Sequence, residues 1–351
     1  MRPIESRCLS KIKPSFVTRR VDQSHIGWLE SDADALKPGD LVVARVKEIG
    51  QHARIERPDG RRAALFPGDQ LLLACGARYA PDQFEAACPT SSGPAHLAAA
   101  GGIAGLVRAR HGQMKPATAI CIEGALRTRD GRRMNLAHYR VTTAPGPSRL
   151  PVLAVCGSSM NAGKTHTVAA LVRGFARAGH QVAAIKVTGT GAGGDLWFYR
   201  DSGAHHVRDF TDAGLASTYQ APLDEILIGT ARLIAEAEAC GADVVVLELA
   251  DGLLQRETAE ILMSDSFRAR LTGIIFAARD AMGAQAGLAW LQQAGLDPLA
   301  VSGCLTQAPL AMREVTSVMR VPCLTPAALE TAETVSRLLR ARLVSKAPSA
   351  A

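Results

Sequence analysis

The chain has 351 residues, 40 Lys and Arg against 33 Asp and Glu, and a formal net charge of +7 at pH 7. Hydrophobic residues make up 47% of it, which is enough for packed cores. Aromatic residues make up only 4%, too few for an obvious base-stacking platform for nucleic acids. Without a run of about eighteen apolar residues, or an apolar segment after the N-terminus, we expect neither a membrane span nor a signal peptide.

The eight cysteines are scattered and form no Cys-x-x-Cys pair. This spacing supports neither structural zinc nor a disulfide framework. Cysteines in predicted strands are most simply small buried side chains, so we expect a cytoplasmic protein.

Residues 1–143 predict a basic, β-rich domain. Residues 1–145 contain 22 Lys and Arg against 14 Asp and Glu, a net charge of 22 − 14 = +8. Turn signals such as Pro-Asp-Gly separate several short apolar runs, which predicts a small barrel or sandwich. The predicted strands cover residues 41–46, 63–66, 70–74, 105–108 and 119–122.

Four basic residues lie close together near the end of this domain: Arg108, Arg110, His111 and Lys115. They could bind a phosphate or a carboxylate, or they could form a solvated surface. No motif supports a nucleic-acid partner.

A Pro/Gly-rich joint at residues 144–151 separates this domain from a second one at residues 150–343. Apolar residues at helical spacing predict a packing helix over residues 327–343, and residues 344–351 read as a frayed tail.

Residues 152–165 read Val-Leu-Ala-Val-Cys-Gly-Ser-Ser-Met-Asn-Ala-Gly-Lys-Thr, and helically spaced apolar residues follow. A buried strand, such a loop and a helix form the phosphate-binding unit of nucleotide-binding proteins. Gly163 lets the backbone approach the phosphates, Lys164 supplies a positive charge for them, and the Thr165 hydroxyl can ligate Mg²⁺. The residues predicted to contact nucleotide here are Gly157, Ser158, Ser159, Asn161, Ala162, Gly163, Lys164, Thr165 and His166.

Five residues separate Gly157 from Gly163, one more than in the usual loop. This spacing resembles the dethiobiotin synthetase and cobyric acid synthase group of P-loop enzymes, whose loops read Gly-Thr-x-x-x-x-Gly-Lys-Thr/Ser. The resemblance covers the C-terminal domain only. It implies a doubly wound, mostly parallel α/β fold with the nucleotide at the carboxyl ends of the strands.

Residues 181–186 predict the second parallel strand, and a glycine-rich loop follows it. In the group that the chain resembles, a lysine at this strand end contacts substrate and phosphate, and a following aspartate helps to hold Mg²⁺. Lys186 and Asp195 match those positions. The alternative is a solvated lysine and a turn aspartate.

The run Asp243-Val-Val-Val-Leu-Glu-Leu-Ala-Asp-Gly252 predicts a buried strand that delivers a carboxylate. The group that the chain resembles has Glu-Gly-x-Gly-Gly here, and its glutamate completes the Mg²⁺ shell, so Glu248 is the candidate. Leu249 and Asp251 replace two of the glycines. Asp251 could be a second metal ligand, a catalytic base or a turn residue.

Two further segments carry candidate contacts. Gln307 follows a predicted strand at residues 299–305, near the place where the group that the chain resembles carries an adenine-recognising asparagine. No Asn-Lys-x-Asp or Thr-Lys-x-Asp motif occurs, which favours ATP over GTP. After Asp195, Arg200 or Asp201 could face an anionic acceptor. The adjacent His205 and His206 would point to opposite sides of a strand and do not suggest a metal site.

These features lead to a first hypothesis, an ATP- and Mg²⁺-dependent enzyme with catalytic Lys164, Lys186 and Glu248. It would transfer the γ-phosphoryl to a small anionic acceptor, by resemblance a carboxylate or carbamate. The alternative is a nucleotide-dependent switch or cofactor-maturation factor whose basic domain holds a protein or nucleic-acid partner. The resemblance also allows a homodimer.

Overall fold

The computed structural model describes residues 1–4 and 9–345, with side chains as far as residue 340. The predicted tail lies outside the described residues from residue 346 onward. The chain divides into two compact units. The first unit comprises Met1–Thr142, Gly189–Gly194 and Phe210–Ala221, and the second comprises Thr143–Thr188, Asp195–Asp209 and the chain from Pro222.

The first unit consists mainly of strands. Their bounds are β1 Arg2–Pro3, β2 Lys13–Pro14, β3 Ile26–Glu30, β4 Leu41–Glu48, β5 Arg54–Glu56, β6 Arg62–Ala64, β7 Gln70–Cys75, β8 Arg78–Tyr79, β9 Phe84–Ala87, β10 Gly93–Ala99, β11 Ile103–Arg110 and β12 Thr118–Thr128. Short 3₁₀ helices cover Phe16–Thr18, Gln23–His25 and Leu136–Tyr139.

Five of these strands close into a ring. Strand β4 pairs antiparallel with β12 and β7, β7 pairs parallel with β11, and β10 pairs antiparallel with both β11 and β12. A ring closed in this way is a small β-barrel, and alternate side chains of each strand fill its interior. The core residues contributed by the five strands include Val42, Ala44, Val46, Leu71, Leu73, Cys75, Ala95, Leu97, Ala104, Ile120 and Ile122.

In the first unit, Glu30 forms an ion cluster with Arg127 and Arg133 that makes the stability of the fold depend on pH. Arg127 donates to both carboxylate oxygens of Glu30 at 2.9 Å, and Arg133 donates to one of them at 2.7 Å. The hydrogen bonds from Arg127, followed by those from Arg133, lower the pKa of Glu30 to about 2. A lowered carboxyl pKa stabilises the fold above the unfolded-state value, and that contribution is lost as pH falls from about 4.5 to about 2.

We therefore expect Glu30→Gln to lower the free energy of unfolding by about 1–3 kcal/mol at neutral pH. The difference from the wild type should shrink below pH 4.5 and vanish only below pH 2, where the wild-type carboxyl is protonated in the folded state too. Denaturant unfolding at several pH values measures this. Glu48→Gln, at an exposed position, is the matched control. A pH-independent loss in Glu30→Gln would contradict the assignment.

The second unit alternates strands and helices. Its strands are β13 Val152–Gly157, β14 Val182–Lys186, β15 His206–Asp209, β16 Val244–Glu248, β17 Gly273–Ala277 and β18 Ala300–Ser302. Its helices are α1 Lys164–Arg177, α2 Gly194–Asp201, α3 Leu223–Ala239, α4 Arg256–Met263, α5 Asp265–Arg268, α6 Ala281–Gln293, α7 Pro309–Val318, α8 Pro326–Leu329 and α9 Ala332–Ser345, with a 3₁₀ helix at Cys304–Gln307.

All neighbouring strands of this sheet are parallel, in the order β15-β14-β16-β13-β17-β18. The predicted mostly parallel α/β arrangement is thus confirmed. Strand β13 lies in the interior of the sheet, and every one of its residues is buried. The carboxyl ends of β13, β14, β16 and β17 therefore meet at one edge, where ligands bind in open α/β sheets.

Two predicted elements differ from the structure. The predicted strand at residues 299–305 is only Ala300–Ser302, because Gly303 at φ +96° turns the chain into a 3₁₀ helix. The helix predicted at residues 327–343 is interrupted, since α8 ends at Leu329 and α9 begins at Ala332. The Thr331 hydroxyl accepts from the Thr334 N–H at 3.3 Å, which caps that second helix. Within the part of the chain that the structure describes, no helix has the length and apolar character needed to cross a membrane.

Candidate nucleotide and magnesium site

The loop between β13 and α1 is fastened to the neighbouring strand ends by its backbone. The Ser158 N–H donates to the Ala277 carbonyl at 2.9 Å, and the Leu253 N–H donates to the Gly157 carbonyl at 3.1 Å. Asn161, with φ +60°, lies in the left-handed region. The loop therefore has a fixed shape at the sheet edge, as a phosphate-binding loop requires.

Glycine is required at two positions of this loop region. Gly163, the residue before α1, has φ +93°, and a Cβ there would lie 2.8 Å from the Cys304 nitrogen. At Gly252, a Cβ would lie 2.7 Å from the Ser158 carbonyl oxygen. Larger residues at either position would displace the loop.

Lys164 begins α1, and its ammonium group lies under the loop. Its Nζ donates to the Ser159 carbonyl at 2.8 Å, and the residue is only 5% exposed. Burial lowers the pKa of Lys164, while the nearby charges of Glu248 and Asp251 oppose that shift. This places a positive charge inside the loop, where phosphate oxygens would bind.

Thr165, Asp195 and Glu248 meet beside Lys164. The Thr165 side chain lies close enough to both carboxyl groups to favour a lower pKa for each. Glu248 is the last residue of β16, and Asp195 lies in the first turn of α2. The sequence-predicted metal ligands are therefore brought together by three different elements.

Lys186 joins the same cluster. It ends β14 directly opposite Glu248 in the strand pairing, and its Nζ lies 3.5 Å from a Glu248 carboxylate oxygen and in contact with Asp195. Burial alone would lower the pKa of Lys186, but the charges of Glu248 and Asp195 raise it above its ordinary value. The lysine therefore stays charged at neutral pH.

The two carboxyl groups differ in their surroundings. Burial raises the pKa of Glu248 despite the adjacent Lys186, and Glu248 is 1% exposed. Burial would likewise raise the pKa of Asp195, but the charge and hydrogen bond of Lys186 lower it. Asp195 is thus the firmly ionised member, and a bound cation would favour ionisation of Glu248 as well.

These oxygens fit Mg²⁺, a hard cation that takes a few protein oxygens and keeps its other positions for water and phosphate. One hydroxyl and two carboxylates converge here, beside the ammonium groups of Lys164 and Lys186. In residues 1–4 and 9–345, no group of three His, Cys, Asp or Glu side chains could hold a metal. A hydroxyl and two carboxylates would supply only part of the Mg²⁺ shell and leave positions for water and phosphate oxygens.

Tyr199 is a site residue that the sequence argument missed. It is fully buried, and its hydroxyl donates to Oε2 of Glu248. Tyr199 lies four residues after Asp195 on α2, so the two share a helix face. The sequence signal for Tyr199 was this spacing of four residues. If Asp195 faces the site, the residue one helical turn later faces it as well.

We expect Tyr199→Phe to raise the Mg²⁺ concentration needed for half-maximal turnover by about 10-fold to 100-fold, because groups that orient metal ligands have effects of that size. Turnover measured against Mg²⁺ concentration tests this. The matched control is Tyr139→Phe, whose hydroxyl reaches His25 Nδ1 at 3.4 Å in the first unit. An unchanged Mg²⁺ dependence in Tyr199→Phe would show that its hydroxyl does not orient Glu248.

Other predicted residues lie at the margin of this cluster. Gln307 is exposed in the 3₁₀ helix, whereas Cys304 touches the loop, with its nitrogen 2.9 Å from the Ala162 carbonyl oxygen. His166 is exposed, and its ring packs edge-on against Phe198 at 5.2 Å.

The candidate residues after Asp195 do not lie together at one binding site. Arg200 is exposed and stacks over Trp197 at 5.6 Å. His205 lies 3.0 Å from the Cys240 carbonyl oxygen, and His206 lies 3.4 Å from Glu236. Asp201 is exposed at the end of α2.

The parallel sheet, the loop and the Thr165 cluster together have the arrangement of a phosphate-binding loop at the carboxyl edge of an α/β sheet. No protein-family model matches the chain, and none of the curated proteins compared with it is a match.

Solved structures give weak matches. The signal recognition particle receptor FtsY from Elizabethkingia anophelis is 14% identical over 56% of this chain and 67% of its own length, with a TM-score of 0.37. Chloroplast FtsY from Physcomitrella patens is 18% identical over 58% and 70%, at 0.37. The kinase domain of Escherichia coli tyrosine kinase ETK is 15% identical over 44% and 68%, at 0.32. TM-scores this low establish neither a shared activity nor a shared ligand.

Proposed function

We propose that the protein is a Mg²⁺-dependent enzyme that binds ATP in the loop of residues 157–165 and cleaves its γ-phosphate. The observation that carries this proposal is the convergence of Lys164, Thr165, Lys186, Asp195 and Glu248 from separate elements. The absence of a guanine-reading motif in the sequence supports ATP over GTP.

The chemistry follows from charge. Phosphoryl transfer needs positioning and neutralisation of negative charge more than covalent participation by the protein. The buried Lys164 and the partly buried Lys186 would bring two positive charges to the phosphate oxygens. Thr165, Asp195 and Glu248 would hold Mg²⁺, which supplies further neutralisation when bound, and Tyr199 fixes the orientation of Glu248.

The finer proposal is that a small carboxylate or carbamate accepts the phosphoryl group. Its support is Lys186, a partly buried second cation beside Asp195 and Glu248 that could neutralise an anionic acceptor. This is the chemistry implied by the resemblance to the dethiobiotin synthetase group.

A second candidate is a nucleotide-dependent switch, and one observation favours it. The segment Gly189–Gly194 joins Thr188 to Asp195, yet it belongs to the first unit. There, the Gly193 N–H donates to the buried Glu56 carboxylate at 2.9 Å. A movement of Asp195 during the nucleotide cycle would therefore pull on the adjoining segment Gly189–Gly194, and so on the Gly193–Glu56 hydrogen bond.

Phosphate release with a panel of small metabolic acids distinguishes the two candidates. Stimulation by one acid would support phosphoryl transfer and identify the acceptor class. The switch would be supported by slow turnover that no acid stimulates. That turnover should also change in Glu56→Gln but not in the exposed control Glu48→Gln. No nucleotide-dependent turnover under any of these conditions would contradict both.

A further inference from the structure

The first unit carries a cleft formed entirely by its own residues. The cleft has a volume of about 340 Å³ and is lined by β8, β9, β11 and the segments next to them. One wall is aromatic and apolar, and it includes Tyr79 and Pro81. The other includes Arg110 and His111.

The aromatic wall is held in place by a second tyrosine. The Tyr79 and Tyr219 rings lie 5.4 Å apart at 45°, and the Tyr219 hydroxyl donates to Glu85 at 3.0 Å. The low aromatic content of the chain argued against a stacking surface. However, the fold brings together two tyrosines that are far apart in the sequence.

Basic residues lie at and near the cleft: Arg110 and His111 line it, and Arg108 and Lys115 are close to them in the sequence. Arg108, Arg110, His111 and Lys115 are all exposed. Among the residues that the structure describes, Arg108, Arg110 and Lys115 make no ion pair.

Several other arginines of this unit are already paired with carboxylates. Arg45 lies 2.6 Å from Glu123, and Arg127 lies 2.9 Å from Glu30. The cations at the cleft therefore remain available for an anion from solution.

We propose that this cleft binds single-stranded nucleic acid, with a base stacked on Tyr79 and phosphates contacting Arg110 and Arg108. A cationic wall beside an aromatic ring is the combination that binds unpaired strands, because every base presents a π-face. The volume suits one inserted base. The Glu85 carboxylate would keep phosphates on the arginine side. The proposal does not depend on the proposed phosphate chemistry.

The first arm of the test probes stacking. The full chain is titrated by fluorescence anisotropy with labelled oligo(U) and oligo(dT) of about twelve nucleotides, and with a duplex of equal length. We expect a single strand to bind more tightly than the duplex. Tyr79→Ala should weaken binding about 10-fold, whereas Tyr79→Phe, which keeps the ring, should bind like the wild type.

A second arm probes the charges. The double variant Arg108→Gln/Arg110→Gln should reduce the slope of log K against log salt by about 1.4, since each single-strand phosphate contact contributes about 0.7. The matched control is Arg313→Gln/Arg320→Gln, which removes two exposed charges from the second unit. Lys164→Ala should keep the wild-type oligonucleotide affinity, which separates this site from the nucleotide site.

Three results would overturn the proposal. One is no binding of either single strand at low salt, and another is binding that neither the Tyr79 nor the arginine variants change. Displacement of the oligonucleotide by a mononucleotide at equal concentration would instead identify a small-ligand pocket. Comparison of oligo(U) with oligo(dT) shows whether RNA or DNA is preferred.

Discussion

Lys164→Ala is expected to weaken ATP binding by about 30-fold to 140-fold, as measured by equilibrium titration. The buried ammonium donates to the loop backbone at Ser159 and is the only described cation inside the loop itself. A charge-assisted hydrogen bond to phosphate contributes about 2–3 kcal/mol, and each 1.4 kcal/mol corresponds to tenfold in affinity.

Two controls accompany this variant. Lys37→Ala removes an exposed lysine from the first unit and should leave ATP affinity unchanged. Lys164→Arg keeps the charge but has a larger head group. The Lys164 side chain is already packed closely against Gly157, where a Cβ would lie only 2.8 Å from it. We therefore expect it to rescue little. Wild-type affinity in Lys164→Ala would show that nucleotide does not bind in this loop.

Glu248→Gln should reduce turnover by about 100-fold to 1,000-fold, the size typical of removing a group that stabilises transition-state charge. The amide keeps the shape of the side chain and can still accept from Tyr199, but it removes one negative charge from the Mg²⁺ set. Affinity for ATP measured without Mg²⁺ should change by only a few fold.

The exposed Glu314→Gln is the control for Glu248→Gln, and it should be indistinguishable from the wild type. A Glu248→Gln variant with wild-type turnover and Mg²⁺ dependence would remove Glu248 from the metal site. The remaining ligands, Thr165 and Asp195, would then have to hold the ion with water and phosphate alone.

Local sequence determined the part of the site that could be predicted. Gly163, Lys164 and Thr165 are consecutive, so a strand before them and a helix after them fix their arrangement. Lys186 and Glu248 end apolar strands, and parallel strands deliver their last residues to one sheet edge. The structure places these residues together as that reasoning requires.

Long-range packing determined the rest. Strand β10 reads Gly-Pro-Ala-His-Leu-Ala-Ala, which has little strand preference, and it is held by pairing with β11 and β12. The assignment of Gly189–Gly194 to the first unit depends on contacts such as that of Gly193 with Glu56. Tyr79 and Tyr219 likewise meet only in the folded chain.

Phosphate release from ATP by the wild type and Lys164→Ala, each with Mg²⁺ and with a chelator, tests whether the loop of residues 157–165 binds and cleaves nucleotide. We predict release by the wild type with Mg²⁺, and loss of that release on chelation or in the variant. Equal release by the wild type and Lys164→Ala would contradict the account, as would no release and no ATP binding by the folded wild-type protein.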